Sequence, residues 1–206
     1  LVARGARAAG MKPIAAGVAP PEACNADVAA LANADGLALA MRDRNPYSFA
    51  APIAPHLAAR DIDVDIDLEV IAAAWQRLGA TVDCIVVEGA GGVLVPLNDT
   101  LDMLDLASRL QVPVLLVVGM RLGCINHALL SVEVIRARGL TLAGWVANEV
   151  VPAMPHFEAN VETIGARIGI SAVAVLRHGA DVGSASVAMD KVAADLLSGW
   201  RDHQLL

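Results

Sequence analysis

The sequence has few aromatic residues and no long apolar run, and each shortage excludes a class of protein. Only 3% of the 206 residues are aromatic although 56% are hydrophobic, so Ala, Val and Leu must form the core. This composition is typical of α/β proteins and unusual for a β-sandwich. Charged residues and prolines interrupt every apolar stretch before it reaches the roughly 18 residues of a membrane-spanning helix. We therefore expect no contact with a membrane.

Basic clusters and metal-binding cysteine patterns are also lacking. Fifteen Lys and Arg residues oppose 22 Asp and Glu residues, and the net charge of −7 argues against nucleic-acid binding. Cys24, Cys84 and Cys124 are widely spaced, which favours reduced thiols in a cytoplasmic protein over a disulfide framework. The chain opens on Leu1 rather than Met, so we expect its natural N-terminus to be absent or processed.

Apolar runs alternate with helical patterns along the chain. The alternation predicts an α/β fold with a doubly wound, mainly parallel sheet and helices on both faces, in one domain over residues 1–206. The predicted strands are residues 7–13, 84–88, 112–118, 141–148 and 172–176, with a further apolar piece at 93–97. The predicted helices are residues 27–41, 67–79, 101–110, 126–138, 157–168 and 187–200, and residues 42–55 are predicted as a loop.

The strand predicted at 84–88 ends on a carboxylate and is followed by three glycines in four residues. In an open parallel sheet, ligands bind at the carboxyl ends of the strands, where Glu88 lies. The glycines at 89, 91 and 92 allow backbone N–H groups to approach phosphate oxygens, and Mg²⁺ is held by carboxylates together with phosphates. The alternative is a glycine-rich turn with a solvated Glu88.

Other polar residues at predicted strand and helix ends also have two interpretations. Lys12 could neutralise charge on a phosphoryl group or carbamate, or lie exposed at a turn. Asp27 could bind metal, or only cap the following helix. The helix start at 123–126 could bind an anion through its N–H groups, or Asn126 could simply cap it. Asn148 could contact a purine edge or make a turn.

Several longer motifs occur in collinear order between residues 5 and 150. They are MKPIAAG at 11–17, NAD at 25–27, NPYSF at 45–49, PH at 55–56, VEGAGGVLVPL at 87–97, VVGMRLGCINH at 117–127 and LAGWVAN at 142–148. Through these motifs the chain resembles the dethiobiotin synthetase family, and motifs of this length and rarity make the resemblance specific.

The resemblance implies a P-loop NTPase-type fold and an ATP-dependent enzyme that closes a ureido ring. In that family 7,8-diaminononanoate takes up CO₂ as an N-carbamate, ATP phosphorylates the carbamate, and the second amine displaces phosphate. The products are dethiobiotin, ADP and phosphate. The resemblance further implies Mg²⁺ as the metal and a homodimer with sites near the subunit interface. Within the segment 122–130, Leu122, Ile125 and Leu129 offer apolar contact area for this interface, together with Met120.

The resemblance also assigns roles to individual residues. Lys12 is implied as the catalytic lysine, and Asp27 and Glu88 as ligands of Mg²⁺ and nucleotide. The remaining implied contacts are Gly89, Ala90 and Gly91 with the phosphates, Asn148 and Glu149 with adenine, Ala16 with the substrate amines, and Gly123, Cys124, Ile125 and Asn126 with the substrate carboxylate from the partner subunit.

Three features depart from the family pattern. No Gly-x-x-x-x-Gly-Lys-Thr phosphate loop occurs in the 206 residues, so we expect the chain to begin inside the first βα unit. We expect the chain alone to bind nucleotide weakly and to turn over negligibly. Ala16 stands where many members have serine, and the late Gly-x-x-Pro turn near adenine is not recognisable in residues 173–178. The alternatives are a non-catalytic dimeric nucleotide- or anion-binding remnant, and another P-loop relative such as a cobyrinic acid amidotransferase-type or chromosome-partition ATPase.

Overall fold

The computed structural model describes residues 1–18 and 24–203, in which the strands pair in parallel. The chain forms two compact units, one spanning Val2–Gln111 and the other holding Leu1 and the chain from Val112 onward. No helix of the described ranges is both long enough and apolar enough to cross a membrane.

The first unit contains two parallel strand pairs and the helices that pack on them. Its strands are β1 (Ala8–Met11), β2 (Ile14–Ala16), β3 (Tyr47–Phe49) and β4 (Cys84–Val87), with β1 paired to β4 and β2 paired to β3. Its helices are a 3-10 turn at Val2–Arg4, then α1 (Ala26–Asp35), α2 (Met41–Arg44), α3 (Pro55–Arg60), α4 (Leu68–Gly79) and α5 (Met103–Leu110). Helices α1 and α2 pack against β1, and α4 packs against β4.

Helix α1 approaches β1 closely at Gly10. A Cβ atom built on Gly10 would lie 2.6 Å from the Cβ of Leu31 in α1, which is closer than packed carbon atoms tolerate. Glycine at position 10 therefore allows the helix to lie directly on the strand.

A buried ion pair joins the end of α1 to the end of α2. The Arg44 and Asp35 side chains are 1% and 5% exposed, and the guanidinium donates to both carboxylate oxygens at 2.5 and 2.6 Å. Arg44 also donates to the carbonyls of Gly10 and Leu37 at 3.0 and 2.9 Å. Burial by itself raises the pKa of the Asp35 carboxyl, but hydrogen bonds from Arg44 and from the N–H groups of Gly10 and Leu37 outweigh burial and hold the pKa below its ordinary value.

Arg44→Met is expected to lower the free energy of unfolding at neutral pH by about 3 to 5 kcal/mol, because Asp35 would remain buried without its cation. Urea denaturation measures the change. Arg60→Met is the matched control, since Arg60 and its partner Asp99 are 63% and 87% exposed. An exposed pair of this kind contributes at most about 1 kcal/mol. Equal losses from the two substitutions would contradict a special role for the buried pair.

The lowered pKa of Asp35 also predicts how the stabilisation depends on pH. A carboxyl with a depressed folded-state pKa stabilises fully above its unfolded-state pKa, about 3.9, and this stabilisation is lost as the pH falls through the folded-state pKa. The stability difference between wild type and Asp35→Asn should therefore be constant near neutrality and shrink below about pH 3.9. A difference that persists unchanged in strong acid would contradict this account.

The second unit is a three-stranded parallel sheet with helices on both of its faces. Its elements are β5 (Val114–Met120), β6 (Leu142–Glu149), β7 (Ala174–Leu176), α6 (Cys124–Ala137), α7 (Phe157–Ile168), α8 (Val182–Ala188) and α9 (Asp190–His203), with the strand order β5-β6-β7. Alternate residues of β6 face opposite sides. Trp145 packs into a cluster with α6 and α7, whereas Val146 packs with Ala174 and with Val192 of α9. This arrangement confirms the predicted helices on both faces for this sheet.

Several predicted elements are confirmed. The strand that leads to Glu88 is β4, the helix predicted at 157–168 is α7, and Asp67 caps α4 by accepting from the N–H of Glu69 at 2.8 Å. In these segments the local sequence pattern agrees with the tertiary packing, so the sequence alone was sufficient to predict the secondary structure.

Other element predictions were wrong, for local reasons. Residues 42–55 do not form a simple loop, because they include most of α2, all of β3 and the start of α3. Residues 93–97 form turns and one bridge between Pro96 and Asp102 instead of a strand. The predicted strand 7–13 ends at Met11, two residues before Pro13, which has no N–H to donate. The last helix is interrupted at Met189, between α8 and α9.

Candidate functional site

Lys12 and Glu88 leave the sheet at the same edge. In the parallel pair β1–β4, Met11 lies opposite Val87, so the next residue of each strand emerges at the carboxyl end. The N–H of Glu88 donates to the Met11 carbonyl at 2.8 Å and keeps the two chains together one residue further. The Lys12 ammonium then donates to Glu88 Oε1 at 2.7 Å.

Asp27 completes a cluster around the Lys12 ammonium. Asp27 Oδ2 lies 3.1 Å from Nζ, and Nζ also donates to the Gly89 carbonyl at 3.0 Å. The Lys12 side chain is only 8% exposed, while the Asp27 and Glu88 side chains are 53% and 46% exposed. The site therefore holds a buried ammonium and two carboxylates that remain open to solvent, with one more negative than positive charge.

Asn25 positions Asp27, a role that the sequence interpretation missed. Asn25, not Asp27, is the N-cap of α1, because its Oδ1 accepts from the Asp27 N–H at 2.8 Å. Its Nδ2 donates to the Ala16 carbonyl at 3.2 Å and so ties the helix start to β2. The Asp27 carboxylate is thereby free of capping and can face Lys12. The signal in the sequence was an Asn directly before a helix, a preferred cap.

A cavity of about 320 Å³ opens beside this cluster. It is lined by Lys12, Ile14, Ala16, Asn25, Asp27, Ile53, Ala54, Pro55, Ala90, Gly91 and Val95. Gly91 has a φ of 80°, and a Cβ there would lie 2.9 Å from Val95 Cγ2, so the turn requires glycine. A larger cavity, about 450 Å³, lies near His56 and Asp99 and is lined by none of the predicted site residues.

The predicted adenine contacts lie in the second unit, at the end of β6. Asn148 is in register with Gly119 of β5 and Leu176 of β7. The side chain of Glu149 is 10% exposed, and its Oε2 accepts from the backbone N–H of His178 at 3.2 Å. This hydrogen bond therefore connects the end of β6 to the segment that follows β7.

The predicted carboxylate site at 123–126 starts α6, also in the second unit. Gly123 is the N-cap with a φ of 95°, so the expectation that Asn126 caps this helix was wrong, and Asn126 lies within the first turn. The Cys124 side chain is 2% exposed and belongs to the core, and its N–H donates to the Arg121 carbonyl at 2.9 Å. A ligand here would accordingly meet the N–H groups of Ile125 and Asn126 rather than that of Cys124.

The paired carboxylates suit Mg²⁺ only together with another ligand. Within residues 1–18 and 24–203, no three His, Cys, Asp or Glu side chains are grouped closely enough to hold a metal ion. Mg²⁺ is usually bound by one or two carboxylates plus phosphates and water. Asp27 and Glu88 converge on one cation, the Lys12 ammonium, and are half exposed, so this pair fits such shared binding.

Comparison with protein families defines the class of this α/β protein. Residues 1–186 match the family model described as an AAA domain, and the chain belongs to that class. A MinC:MinD cell division protein complex from Aquifex aeolicus aligns with 85% of this chain and 70% of its own at a TM-score of 0.48 and 11% identity, too weak a likeness to bear on function.

Curated relatives narrow the class to one family. The ATP-dependent dethiobiotin synthetase BioD of Aromatoleum aromaticum is 48% identical over 89% of this chain and 83% of its own length. The protein of the same name from Nitrosospira multiformis is 47% identical over 85% of this chain and 77% of its own. The chain belongs to the dethiobiotin synthetase family.

Proposed function

We propose that this protein carboxylates 7,8-diaminononanoate with CO₂ and closes the ureido ring of dethiobiotin, converting ATP to ADP and phosphate. Family membership supports the reaction, since relatives 48% and 47% identical are named ATP-dependent dethiobiotin synthetases. The structural observation that carries the proposal is the buried Lys12 ammonium between Asp27 and Glu88, in a cluster whose residues Lys12 and Asp27 line a cavity.

Lys12 is the proposed catalytic residue. One substrate amine attacks CO₂, a carbamate oxygen then takes the γ-phosphoryl group from ATP, and the second amine expels phosphate as the ring closes. Negative charge builds on oxygen atoms in each of these steps, and a fixed ammonium in a site of low exposure stabilises it. Lys12 is held for this task by Glu88 at 2.7 Å and by the Gly89 carbonyl at 3.0 Å.

Asp27 and Glu88 are the proposed Mg²⁺ ligands. When bound, the ion would neutralise charge on the nucleotide phosphates. Both carboxylates are about half exposed, and Asp27 lines the cavity, which supports their access to a nucleotide-bound ion. They also set the position of the Lys12 ammonium, so one pair of residues would orient both cations.

The remaining contacts are proposals of the same kind. Gly89, Ala90 and Gly91 would face the phosphates, and Ala16, which lines the cavity, would lie near the substrate amines. Asn148 and Glu149 would meet adenine from the end of β6. The first turn of α6, Gly123–Asn126, would receive the substrate carboxylate, with the polarity that a helix N-terminus favours.

We propose one functional domain for residues 1–206, assembled as a homodimer in the cytoplasm. Leu122 is fully exposed and Leu130 is 57% exposed, which supports an apolar contact in the segment 122–130. Met120, by contrast, is buried and cannot contribute. The cysteines Cys24, Cys84 and Cys124 are free thiols, which supports a reducing compartment. Recovery of the protein outside the cytoplasm on cell fractionation would contradict the proposed location.

The complete protein, including any residues that precede Leu1, is expected to form ADP and dethiobiotin only when diaminononanoate, bicarbonate, ATP and Mg²⁺ are all present. Omission of each component in turn, with both products quantified, tests the assignment. ADP release that does not depend on diaminononanoate would contradict the proposed function.

The proposed homodimer is tested by light scattering on the same sample, which should give the mass of two chains. A monomer at micromolar concentration would contradict the proposed interface.

A further inference from the structure

Lys12 lies in a gap between two strands, where the sheet does not hold its backbone. Strand β1 ends at Met11 and pairs with β4, whereas β2 begins at Ile14 and pairs with β3. The chain thus changes partners across Lys12 and Pro13. A lysine side chain has many rotamers, and holding it in one of them costs side-chain entropy. Contacts other than strand pairing must therefore orient the Lys12 side chain.

The segment from Arg44 to Tyr47 holds the backbone on both sides of Lys12. The Lys12 N–H donates to the Arg44 carbonyl at 2.9 Å, and the Tyr47 N–H donates to the Pro13 carbonyl at 3.0 Å. Between these bonds, Asn45 Nδ2 donates to the Lys12 carbonyl at 2.7 Å and to the Tyr47 carbonyl at 2.9 Å. One side-chain amide therefore supplies the hydrogen bond that a neighbouring strand would otherwise give.

We propose that Asn45 is a positioning residue that aims the Lys12 ammonium between Asp27 and Glu88. The inference rests on the proposed catalytic role of Lys12. Arg44, which precedes Asn45, is held by Asp35 through the buried ion pair. This ion pair restrains the backbone from which the Asn45 side chain extends. Asn45 Nδ2 donates to the carbonyl oxygens of Lys12 and Tyr47, so it acts on the ammonium through the backbone of Lys12.

Asn45→Ala is expected to lower kcat about 10- to 100-fold with little change in KM, because misplacement of a catalytic group by about 1 Å has effects of this size. Asn45→Asp keeps the volume but turns the donor into an acceptor facing two carbonyl oxygens, and it should be at least as damaging. Asn160→Ala is the matched control, since Asn160 Nδ2 also donates to a backbone carbonyl, that of His156, at 2.8 Å. Its kcat should stay within about twofold of wild type.

The chain has only two lysines, Lys12 and Lys191, which permits a readout that does not depend on activity. Lysine labelled with ¹³C at the ε-carbon should give two resonances at one fixed pH, and Lys191→Arg identifies the signal of Lys12. Asn45→Ala and Asn45→Asp should shift or broaden the Lys12 signal, and Asn160→Ala should leave it unchanged.

The outcomes separate this inference from the proposed function. A Lys12 resonance that is the same in wild type and in both Asn45 variants would overturn the inference, and so would equal loss of kcat in Asn160→Ala. If Asn45→Ala fails to fold, the isosteric Asn45→Asp carries the test. Absence of synthetase activity in the complete protein, including any residues that precede Leu1, would refute the proposed function, while the resonance of Lys12 would still report whether Asn45 positions it.

Discussion

Lys12→Arg is expected to lower kcat for dethiobiotin formation by about 10² to 10³, the range seen when one stabilising donor is removed from an active site. The Lys12 ammonium has three oxygen partners within 3.1 Å, and its side chain is only 8% exposed. A planar guanidinium keeps the charge but is wider and directs its donors in a fixed fork, so it cannot occupy the same point. Steady-state assay of ADP and dethiobiotin measures the loss.

Lys191→Arg is the control for this result, because it makes the same chemical change at the other lysine of the chain. Lys191 lies in α9 of the second unit, outside the cluster around Lys12. Wild-type kcat is expected for Lys191→Arg, and urea denaturation should show that both variants are folded. If Lys12→Arg also retained wild-type turnover, Lys12 would have no catalytic role.

Glu88→Gln is expected to lower turnover by about 10² or more, and the loss should persist at saturating Mg²⁺. The amide retains the shape of the side chain but loses the charge that would hold Mg²⁺ and that now accepts from Lys12 at 2.7 Å. Turnover measured across a Mg²⁺ titration provides the test. The fold should survive, because the Glu88 side chain is 46% exposed.

Glu69→Gln is the matched control for the loss of a glutamate charge. Glu69 accepts from Arg109 at 2.5 Å on the exposed surface of α4 and α5, and this contact lowers the pKa of its carboxyl. The ion-pair partner of Glu69 is Arg109, whereas that of Glu88 is Lys12, so the turnover and Mg²⁺ dependence of Glu69→Gln should match those of wild type. Unchanged ADP release by Glu88→Gln at saturating Mg²⁺ would remove Glu88 from the site.

Two of the three charged residues of the candidate site were predictable because they directly follow strand ends. A buried apolar run that stops at Glu88 identifies the end of β4, and parallel pairing with β1 brings Lys12 to the same edge. Asp27 was recognised through its motif, but its local interpretation as a cap was wrong. Capping by Asn25 or by Asp27 depends on where the helix starts, and a shift of two residues separates the two possibilities.

The segment 42–55 shows where local patterns were insufficient. Its prolines and polar residues predict a loop, yet Tyr47–Phe49 is a strand because β2 offers a parallel partner. Asparagine is common in turns, so the local sequence at Asn45 predicts only a turn. Its hydrogen bonds to the carbonyls of Lys12 and Tyr47 form only when β1, β2 and β3 are assembled. Strand pairing is non-local, so three-residue strands leave almost no signal in the sequence.

By itself the sequence determined the α/β class, the family and the three charged residues of the site, because strand hydrophobicity, helix periodicity and long motifs are local properties of the chain. Only the tertiary structure decided that the Lys12 ammonium is buried against Asp27 and Glu88. It likewise decided that Asn25 hydrogen-bonds the backbone of Asp27 and Asn45 that of Lys12. It also decided that Arg44 and Asp35 form a buried pair. These are distances between residues up to 76 positions apart, and such distances are set by the packing of strands and helices, to which local sequence patterns are insensitive.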